Sequence, residues 1–224
     1  MTDGERVREG EAALYRQLGI AADSRIDRSV HRRCSRHLTR LLVRWPVTPN
    51  QITVASFAVG LAAAWCVWNA SSFWLTALGV LFYGMSVVID HVDGEVARLT
   101  FRESEAGERL DFASDSAVHG LLVLAMGGAA ERLAGGGAMG LGAAAAAGVV
   151  ISATVARLLP RDARRVGTLL RGLGNRNPFY AILIAFSVAT TAAPGALPWM
   201  LGLLAVGSQA YWLTSLAYRM RASS

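Results

Sequence analysis

The distribution of charge constrains this chain more than any other feature of its sequence. Residues 45–89 and 177–218 contain no Asp, Glu, Lys or Arg, and the same is true of two shorter stretches, 116–130 and 133–156. A helix needs about 20 apolar residues to cross a bilayer. These stretches therefore predict an all-α polytopic membrane protein, and they exclude a disordered chain, a coiled coil and an ordinary soluble domain.

The lengths of the uncharged stretches predict six transmembrane helices. The first and last stretches are each long enough for two spans, with turn residues at 69–72 and 193–195 between them. Trp68 and Trp74 flank the first of these turns, as interfacial aromatic residues do. The predicted spans are 52–69, 73–97, 108–129, 135–157 and two within 177–218.

An arginine-rich segment, residues 25–44, precedes the first span. Its apolar residues recur at helical spacing and its arginines occupy the other faces, which is typical of an amphipathic helix lying on an anionic membrane surface. The predicted organisation is a polar tail at 1–24, this juxtamembrane helix at 25–44, a six-helix transmembrane catalytic domain at 45–218 and a carboxyl-terminal tail at 219–224.

The basic residues predict the orientation in the membrane. All 22 are Arg, and the net charge is +6. All but Arg132 lie in the amino-terminal segment, the 98–109 and 157–176 loops and the carboxyl terminus. The positive-inside rule then places both termini on the cytoplasmic side of the cytoplasmic (inner) membrane. A nucleic acid partner would also suit the charge, but membrane anchoring explains it together with the apolar stripe, so none is expected.

Four aspartates interrupt the second and third predicted spans. Asp90 and Asp93 are three residues apart and share a helix face, and Asp111 and Asp115, four apart, share a face of the next helix. An ionised carboxylate at membrane depth costs roughly 2.5–3.5 kcal/mol even on lenient scales. Because a short loop makes the two helices antiparallel neighbours, we expect the four carboxylates to converge at the cytoplasmic end.

Four convergent carboxylates match two divalent cations. Hard oxygen ligands suit Mg²⁺ or Mn²⁺, and Ca²⁺ is also compatible with such a site. A structural alternative is that the aspartates pair with arginines across the two helices. The regular spacing of the four aspartates favours the metal site.

Small residues lie on the same helix face as the first two aspartates. Gly94, Ala97 and Arg98 fall within one stripe with them, about 140° wide at 100° per residue. Gly94 and Ala97 leave room for a flat ligand, and Arg98 can neutralise a phosphate. By the same count Glu95 points elsewhere. His119, one turn after Asp115, is expected to be a satisfied or water-facing histidine rather than a ligand.

The segment resembles the signature of the CDP-alcohol phosphotransferase family, D-x2-D-G-x2-A-R followed after seven or eight residues by G-x3-D-x3-D. The Thr48-Pro49-Asn50 lead-in and the six-span pattern are also similar to this family, so the resemblance covers about residues 25–218. The matching positions are Asp90, Asp93, Gly94, Ala97, Arg98, Gly107, Asp111 and Asp115.

The resemblance implies a metal-dependent transferase of phospholipid biosynthesis, and a homodimer. It would move a phospho-alcohol group from a CDP-alcohol, such as CDP-diacylglycerol, to the hydroxyl of an acceptor alcohol, releasing CMP and forming a phosphodiester. Asp115 would be the catalytic base. Two Mg²⁺ or Mn²⁺ ions would be bound by Asp90, Asp93, Asp111 and Asp115. The CDP-alcohol would be bound by Asp93, Gly94, Ala97, Arg98 and Gly107.

Arginines after the fourth span suggest the chemistry of the acceptor. Arg157 lies inside the predicted helix end, on the same side of the membrane as Asp115, and Arg161 and Arg164 follow in the loop. A guanidinium can bind phosphate in a bidentate way, which favours a phosphorylated acceptor such as inositol phosphate or glycerol phosphate. Ordinary positive-inside anchoring explains these arginines equally well.

Two other functions are compatible with intramembrane aspartates. A membrane prenyltransferase also holds Mg²⁺-pyrophosphate on aspartates, but it would leave Gly94, Ala97 and Arg98 unexplained. A cation-coupled transporter would use the carboxylates to bind ions. Transporters often contain inverted repeats and broken helices, and the sequence shows no evident sign of either.

The predicted topology can be tested by cysteine labelling after Cys34 and Cys66 have been replaced. A reagent confined to the outside should label a cysteine placed at Ser71 or Gly136. It should not label one placed at Arg165 or Ser223. Labelling of the last two positions from outside would reverse the orientation.

Overall fold

The structure, a computed structural model, describes residues 32–158 and 176–222. Most of these residues lie in helices. No strand occurs in these two ranges, so the prediction of an all-α protein is confirmed. A 3₁₀ turn, Pro194–Ala196, precedes the last helix. In chain order the helices are α1 (Arg32–Leu42), α2 (Pro49–Trp68), α3 (Phe73–Leu99), α4 (Glu105–Ala134), α5 (Ala138–Leu158), α6 (Arg176–Ala192) and α7 (Leu197–Ala222).

Within the described residues, five segments are long and apolar enough to cross a membrane, which makes the chain an integral membrane protein. They are α2, α3, α4, α5 and the segment Pro194–Ala217, which contains most of α7. The fifth predicted span corresponds to α6, whose apolar part, Phe179–Ala192, is shorter than the others. The predicted number of six therefore exceeds by one the number of described helices that have spanning length.

The ends of the helices differ from the predicted spans by a few residues. α4 begins at Glu105 instead of 108, because an acidic first turn, Glu105 and Glu108, is favourable at a helix amino terminus. α1 ends at Leu42, two residues before the predicted end, and a turn follows it. The predicted amino-terminal tail and the first part of the predicted juxtamembrane helix, residues 1–31, lie outside the described residues, as do residues 223–224.

The chain divides into two compact units, and α2, α3 and α4 each contribute residues to both. The first unit comprises the described residues up to Ala58 together with Gly84–Phe112. Its apolar core joins the first three helices. The buried residues Ile52, Val92 and Val96 pack against Leu38, Leu42, Val47 and Ile89.

A buried carboxylate attaches α1 to α3 within the first unit. Glu95 is fully buried, and its two oxygens accept hydrogen bonds from the Ser35 hydroxyl at 2.9 Å and the Thr39 hydroxyl at 2.6 Å. Both donors are themselves fully buried. Glu95 therefore faces the juxtamembrane helix and holds it against α3.

The connection between α3 and α4 is short and closed by main-chain hydrogen bonds. The Arg102 N–H donates to the Ala97 carbonyl at 2.9 Å, and the Phe101 N–H donates to the Arg98 carbonyl at 3.3 Å. Phe101 has a φ of 54°, so the helix ends in a Schellman motif with a phenylalanine where glycine is usual. Ser104 then caps α4, because its hydroxyl accepts the Gly107 N–H at 3.1 Å.

The second unit comprises Val59–Tyr83 and the described residues from Ala113 onward. In it α4 and α5 approach closely: a Cβ added at Gly127 would lie 2.8 Å from the Cα of Gly142. Polar contacts join α5 to α7, where Ser152 donates to the Ser208 carbonyl at 3.0 Å and Gln209 donates to the Ala144 carbonyl at 2.9 Å. Small residues thus allow helices to approach, as membrane helices commonly do.

Loss of the Glu95 carboxylate should destabilise the protein. Glu95→Ala leaves two buried hydroxyl groups without their acceptor, and each unsatisfied group costs about 1–3 kcal/mol. We expect a clearly lower thermal unfolding midpoint in detergent. Glu103→Ala, at an exposed position of the α3–α4 connection, is the matched control and should change the midpoint little. Equal midpoints for the two variants would contradict the role of Glu95.

Candidate active site

A cavity of about 410 Å³ lies in the first unit. The start of α2, the last turns of α3, the connection after it and the first turns of α4 form its walls. Cavities that hold small molecules usually measure about 300–1,000 Å³, so this one is large enough for a ligand. Six of the predicted site residues line it: Asp93, Gly94, Ala97, Arg98, Gly107 and Asp111.

Three carboxylates come together in this unit. Asp90 and Asp93 on α3 and Asp111 on α4 each place one oxygen within 4.8 Å of the other two. Two unit charges at this separation repel by about 3.5 kcal/mol at an effective dielectric constant of about 20. Oxygens bound to one Mg²⁺ at about 2.0–2.1 Å are at most about 4.2 Å apart. A small rotation of the side chains would therefore let the three oxygens bind one divalent cation, and the residues fit such an ion.

A hydroxyl group on α2 orients one of these carboxylates. Thr53 donates to Oδ2 of Asp93 at 2.6 Å, and both residues are buried. A hydrogen-bonded carboxylate keeps one orientation, and such contacts around metal ligands usually strengthen metal binding. Thr53 also lines the cavity.

A cationic side chain lies one helical turn after Gly94. The terminal nitrogens of Arg98 would be 3.6 Å from a Cβ placed on Gly94, an ordinary contact distance. The absence of a side chain at Gly94 therefore keeps the space beside the guanidinium open. The Nε of Arg98 is buried and has no hydrogen-bond partner among the described residues.

Gly107 has a packing role that its place in the sequence motif does not indicate. A Cβ at this position would lie 3.1 Å from the Ser104 hydroxyl and 3.2 Å from Oδ1 of Asn50. These distances are tighter than ordinary contacts. Gly107 therefore allows the start of α4 to approach the start of α2, and the three residues line the same cavity.

Asp115 belongs to the second unit, one turn after Asp111 along α4. Its carbonyl lies 2.8 Å from Nδ1 of His119, and its Oδ1 lies 3.4 Å from the same nitrogen. The other ring nitrogen of His119 is 2.8 Å from the Tyr83 hydroxyl. Both nitrogens of His119 thus have partners, which agrees with the expectation of a satisfied histidine.

The predicted acceptor residues are only partly described. Arg157 lies in the last turn of α5 and is exposed. Arg161 and Arg164 lie outside the described residues.

Eight of the residues that line the cavity were not predicted as site residues, and three of them contribute polar groups described above. Asn50 and Thr53 belong to the start of α2, and Ser104 to the connection before α4. The Thr48-Pro49-Asn50 lead-in was noted as similar to the family, but no site residue was assigned to it. Its signal was present, because Asn50 and Thr53 are three residues apart and therefore share a helix face.

The helices and the aspartate-lined cavity define an integral membrane protein with a candidate divalent-cation site. The chain belongs to the CDP-alcohol phosphatidyltransferase family, whose sequence model matches residues 46–216. This membership confirms the resemblance found in the sequence and supports a transferase of the CDP-alcohol phosphotransferase kind. Members of the family generally depend on divalent cations.

Three curated relatives share the name bifunctional IPC transferase and DIPP synthase. The chain is 35% identical over 98 residues to the protein of Thermococcus kodakarensis, covering 44% of this chain and 21% of that protein. It is 33% identical over 112 residues to that of Archaeoglobus fulgidus, covering 50% and 22%. It is 33% identical over 93 residues to that of Aquifex aeolicus, covering 42% and 20%. The match thus spans about a fifth of the length of each relative.

Proposed function

We propose that this protein transfers a phospho-alcohol group from a CDP-alcohol to the hydroxyl of an acceptor alcohol, releasing CMP and forming a phosphodiester. The observation that carries this proposal is the group of three carboxylates, Asp90, Asp93 and Asp111, with two of them lining the same cavity as Arg98. Carboxylates that hold cations and an arginine that contacts phosphate are the groups that a pyrophosphate donor requires. Family membership favours this reaction over a prenyltransferase or a transporter.

Two divalent cations, Mg²⁺ or Mn²⁺, are the proposed cofactors. The three clustered aspartates would hold them together with Asp115, which follows Asp111 by one helical turn. When bound, such ions neutralise charge on the attacking and leaving oxygens of an in-line displacement. Thr53 contributes by fixing the orientation of the Asp93 carboxylate.

The cavity would bind the CDP portion of the donor. The Arg98 guanidinium would bind phosphate oxygens, since it lies beside the open space at Gly94. Asp93, Ala97 and Gly107 complete the proposed donor site, and all of them line the cavity. Asn50 and Ser104 add polar groups to the same wall, where they could hydrogen-bond to the nucleotide.

Asp115 is the proposed catalytic base. An alcohol is a weak nucleophile at neutral pH, so a carboxylate must accept its proton during attack. The acceptor oxygen forms a bond to the β-phosphorus, the bond from that phosphorus to the bridging oxygen breaks, and CMP leaves with the bonding electrons. The proton of the acceptor hydroxyl passes to Asp115.

The acceptor is proposed to carry a phosphate group, as inositol phosphate or glycerol phosphate does. Arg157, together with Arg161 or Arg164, would bind that group on the same side of the membrane as Asp115. The relatives named IPC transferase and DIPP synthase support a group transfer of this kind, and the match covers about a fifth of their length. CDP-diacylglycerol is the proposed donor, which places the enzyme in phospholipid biosynthesis.

The cellular arrangement follows from the charge distribution. We place both termini and the active site on the cytoplasmic side of the inner membrane, because the arginines concentrate on one side of the predicted spans. This side also gives access to soluble phosphorylated acceptors. A homodimer in contact with membrane lipids is the proposed assembly, on the strength of the family alone.

The proposed function is tested by offering the purified protein a panel of CDP-alcohols and acceptors with Mg²⁺ or Mn²⁺. We expect CMP release with at least one pair, a phosphodiester product by mass spectrometry, and no activity after chelation. Asp90→Asn and Asp111→Asn should each lose nearly all turnover, because each removes a cation ligand. Full activity with chelator or in either variant would exclude the metal-dependent mechanism.

The acceptor site makes a separate prediction. Arg157→Ala should raise the acceptor KM at least about tenfold, or about 1.4 kcal/mol, while the donor KM changes little. Arg132→Ala, which removes the arginine of the opposite side, is the matched control and should leave both constants near those of the wild type. An unchanged acceptor KM in Arg157→Ala would assign Arg157 to membrane anchoring and favour a neutral acceptor.

A further inference from the structure

We propose that His119 and Tyr83 are positioning residues for Asp115, an inference that rests on the proposed role of Asp115 as the base. The three residues form a continuous series of contacts within the second unit. The Tyr83 hydroxyl lies 2.8 Å from Nε2 of His119, and Nδ1 of His119 lies 2.8 Å from the Asp115 carbonyl and 3.4 Å from Oδ1 of its carboxylate.

The geometry determines where the proton of the neutral imidazole lies. A carbonyl oxygen offers only lone pairs, so a ring nitrogen 2.8 Å from it must carry the hydrogen. In His119 that nitrogen is Nδ1. The neutral ring then has a lone pair on Nε2, and the Tyr83 hydroxyl donates to it. Tyr83 thereby selects the form of His119 that presents an N–H toward Asp115.

The local hydrogen bond alone is not unusual. His91 makes the same contact one turn back along its own helix, with Nδ1 at 2.7 Å from the Val87 carbonyl. His119 has two further contacts. Oδ1 of the Asp115 carboxylate lies on the same side of the His119 ring as the Nδ1–H group. The hydroxyl of Tyr83, which belongs to another helix, contacts Nε2 of His119.

Aromatic rings hold the imidazole in place. The ring of Phe179 lies 4.8 Å from that of His119 in an edge-to-face arrangement, and 5.2 Å from that of Tyr83. Tyr83 is 1% exposed, and the side chain of His119 is 14% exposed. The Asp115 side chain is more open, at 36%. A fixed imidazole thus faces one oxygen of a more accessible carboxylate, which makes the two oxygens of Asp115 inequivalent and restricts its rotation.

An isosteric pair of variants separates this role from packing. Asn and Leu have nearly the same shape, but only Asn can place an N–H near the position of Nδ1. We expect His119→Leu to lower kcat at least tenfold with the donor KM within twofold, and His119→Asn to remain within threefold of the wild type. If His119 has only a packing role, the two variants should have equal kcat values, or His119→Leu should have the higher kcat.

A double-mutant cycle then asks whether His119 acts through Asp115. Asp115→Asn should by itself lower kcat about 100-fold, as expected for loss of a general base. In that background, His119→Leu should lower kcat by less than a further twofold, because its effect depends on the carboxylate. A full additional tenfold loss would show that His119 acts independently of Asp115 and would overturn the proposal.

If substitutions at His119 prevent folding, Tyr83→Phe tests the same proposal through the partner of His119. It removes only the hydroxyl, and we expect kcat to fall at least threefold when equal amounts of folded protein are compared. Tyr211→Phe is the matched control, because the described hydrogen bonds of Tyr211 use its backbone carbonyl. Equal kcat values for these two variants would overturn the proposal.

The outcomes also distinguish this inference from the proposed function. Absence of CMP release by the wild type with every donor contradicts both. Wild-type activity together with equal kcat values for His119→Asn and His119→Leu contradicts the positioning role alone.

Discussion

Acidic side chains placed in apolar helices determine how the first unit is built. Asp93 and Glu95 are two residues apart on α3, and both are buried, at 5% and 0% exposure. Each receives hydroxyl groups from a different helix: Asp93 from Thr53 on α2, and Glu95 from Ser35 and Thr39 on α1. Burying a charge is unfavourable unless it is hydrogen-bonded. Satisfying these two carboxylates therefore fixes both neighbouring helices against α3, and the cavity lies beside one of these contacts.

Asp93 and Glu95 have different roles, although they are only two residues apart in the sequence. Asp93 belongs to the group that can bind a cation, whereas Glu95 holds the juxtamembrane helix. Glu95 thus adds polar contacts to the apolar contacts that join α1 to α3, the helix that also carries Asp93.

Charge and periodicity were sufficient to predict most of the architecture. The uncharged stretches predict the long helices because lipid excludes charged groups, and the helical repeat predicts that Asp90 and Asp93 share a face. The contacts of Thr53 and Glu95 could not be predicted, since they depend on how neighbouring helices pack, which spacing along one helix does not specify. For the same reason the sequence gives no sign of Tyr83 as a partner of His119. Gly107 was recognised through a motif, but its close approach to Asn50 required the structure.

The turn that ends α3 restricts the length of the connection between α3 and α4. Phe101 adopts a left-handed conformation without being glycine, and two main-chain hydrogen bonds close the turn around it. Ser104 then begins α4 directly, so the connection contains little slack. Adding or removing one residue there would disrupt the spacing on which both main-chain hydrogen bonds depend, and the start of α4 would shift relative to the end of α3. Asp111 would then no longer be held beside Asp90 and Asp93. The connection thus acts as a spacer of fixed length, and substitutions in it should be tolerated far better than insertions or deletions.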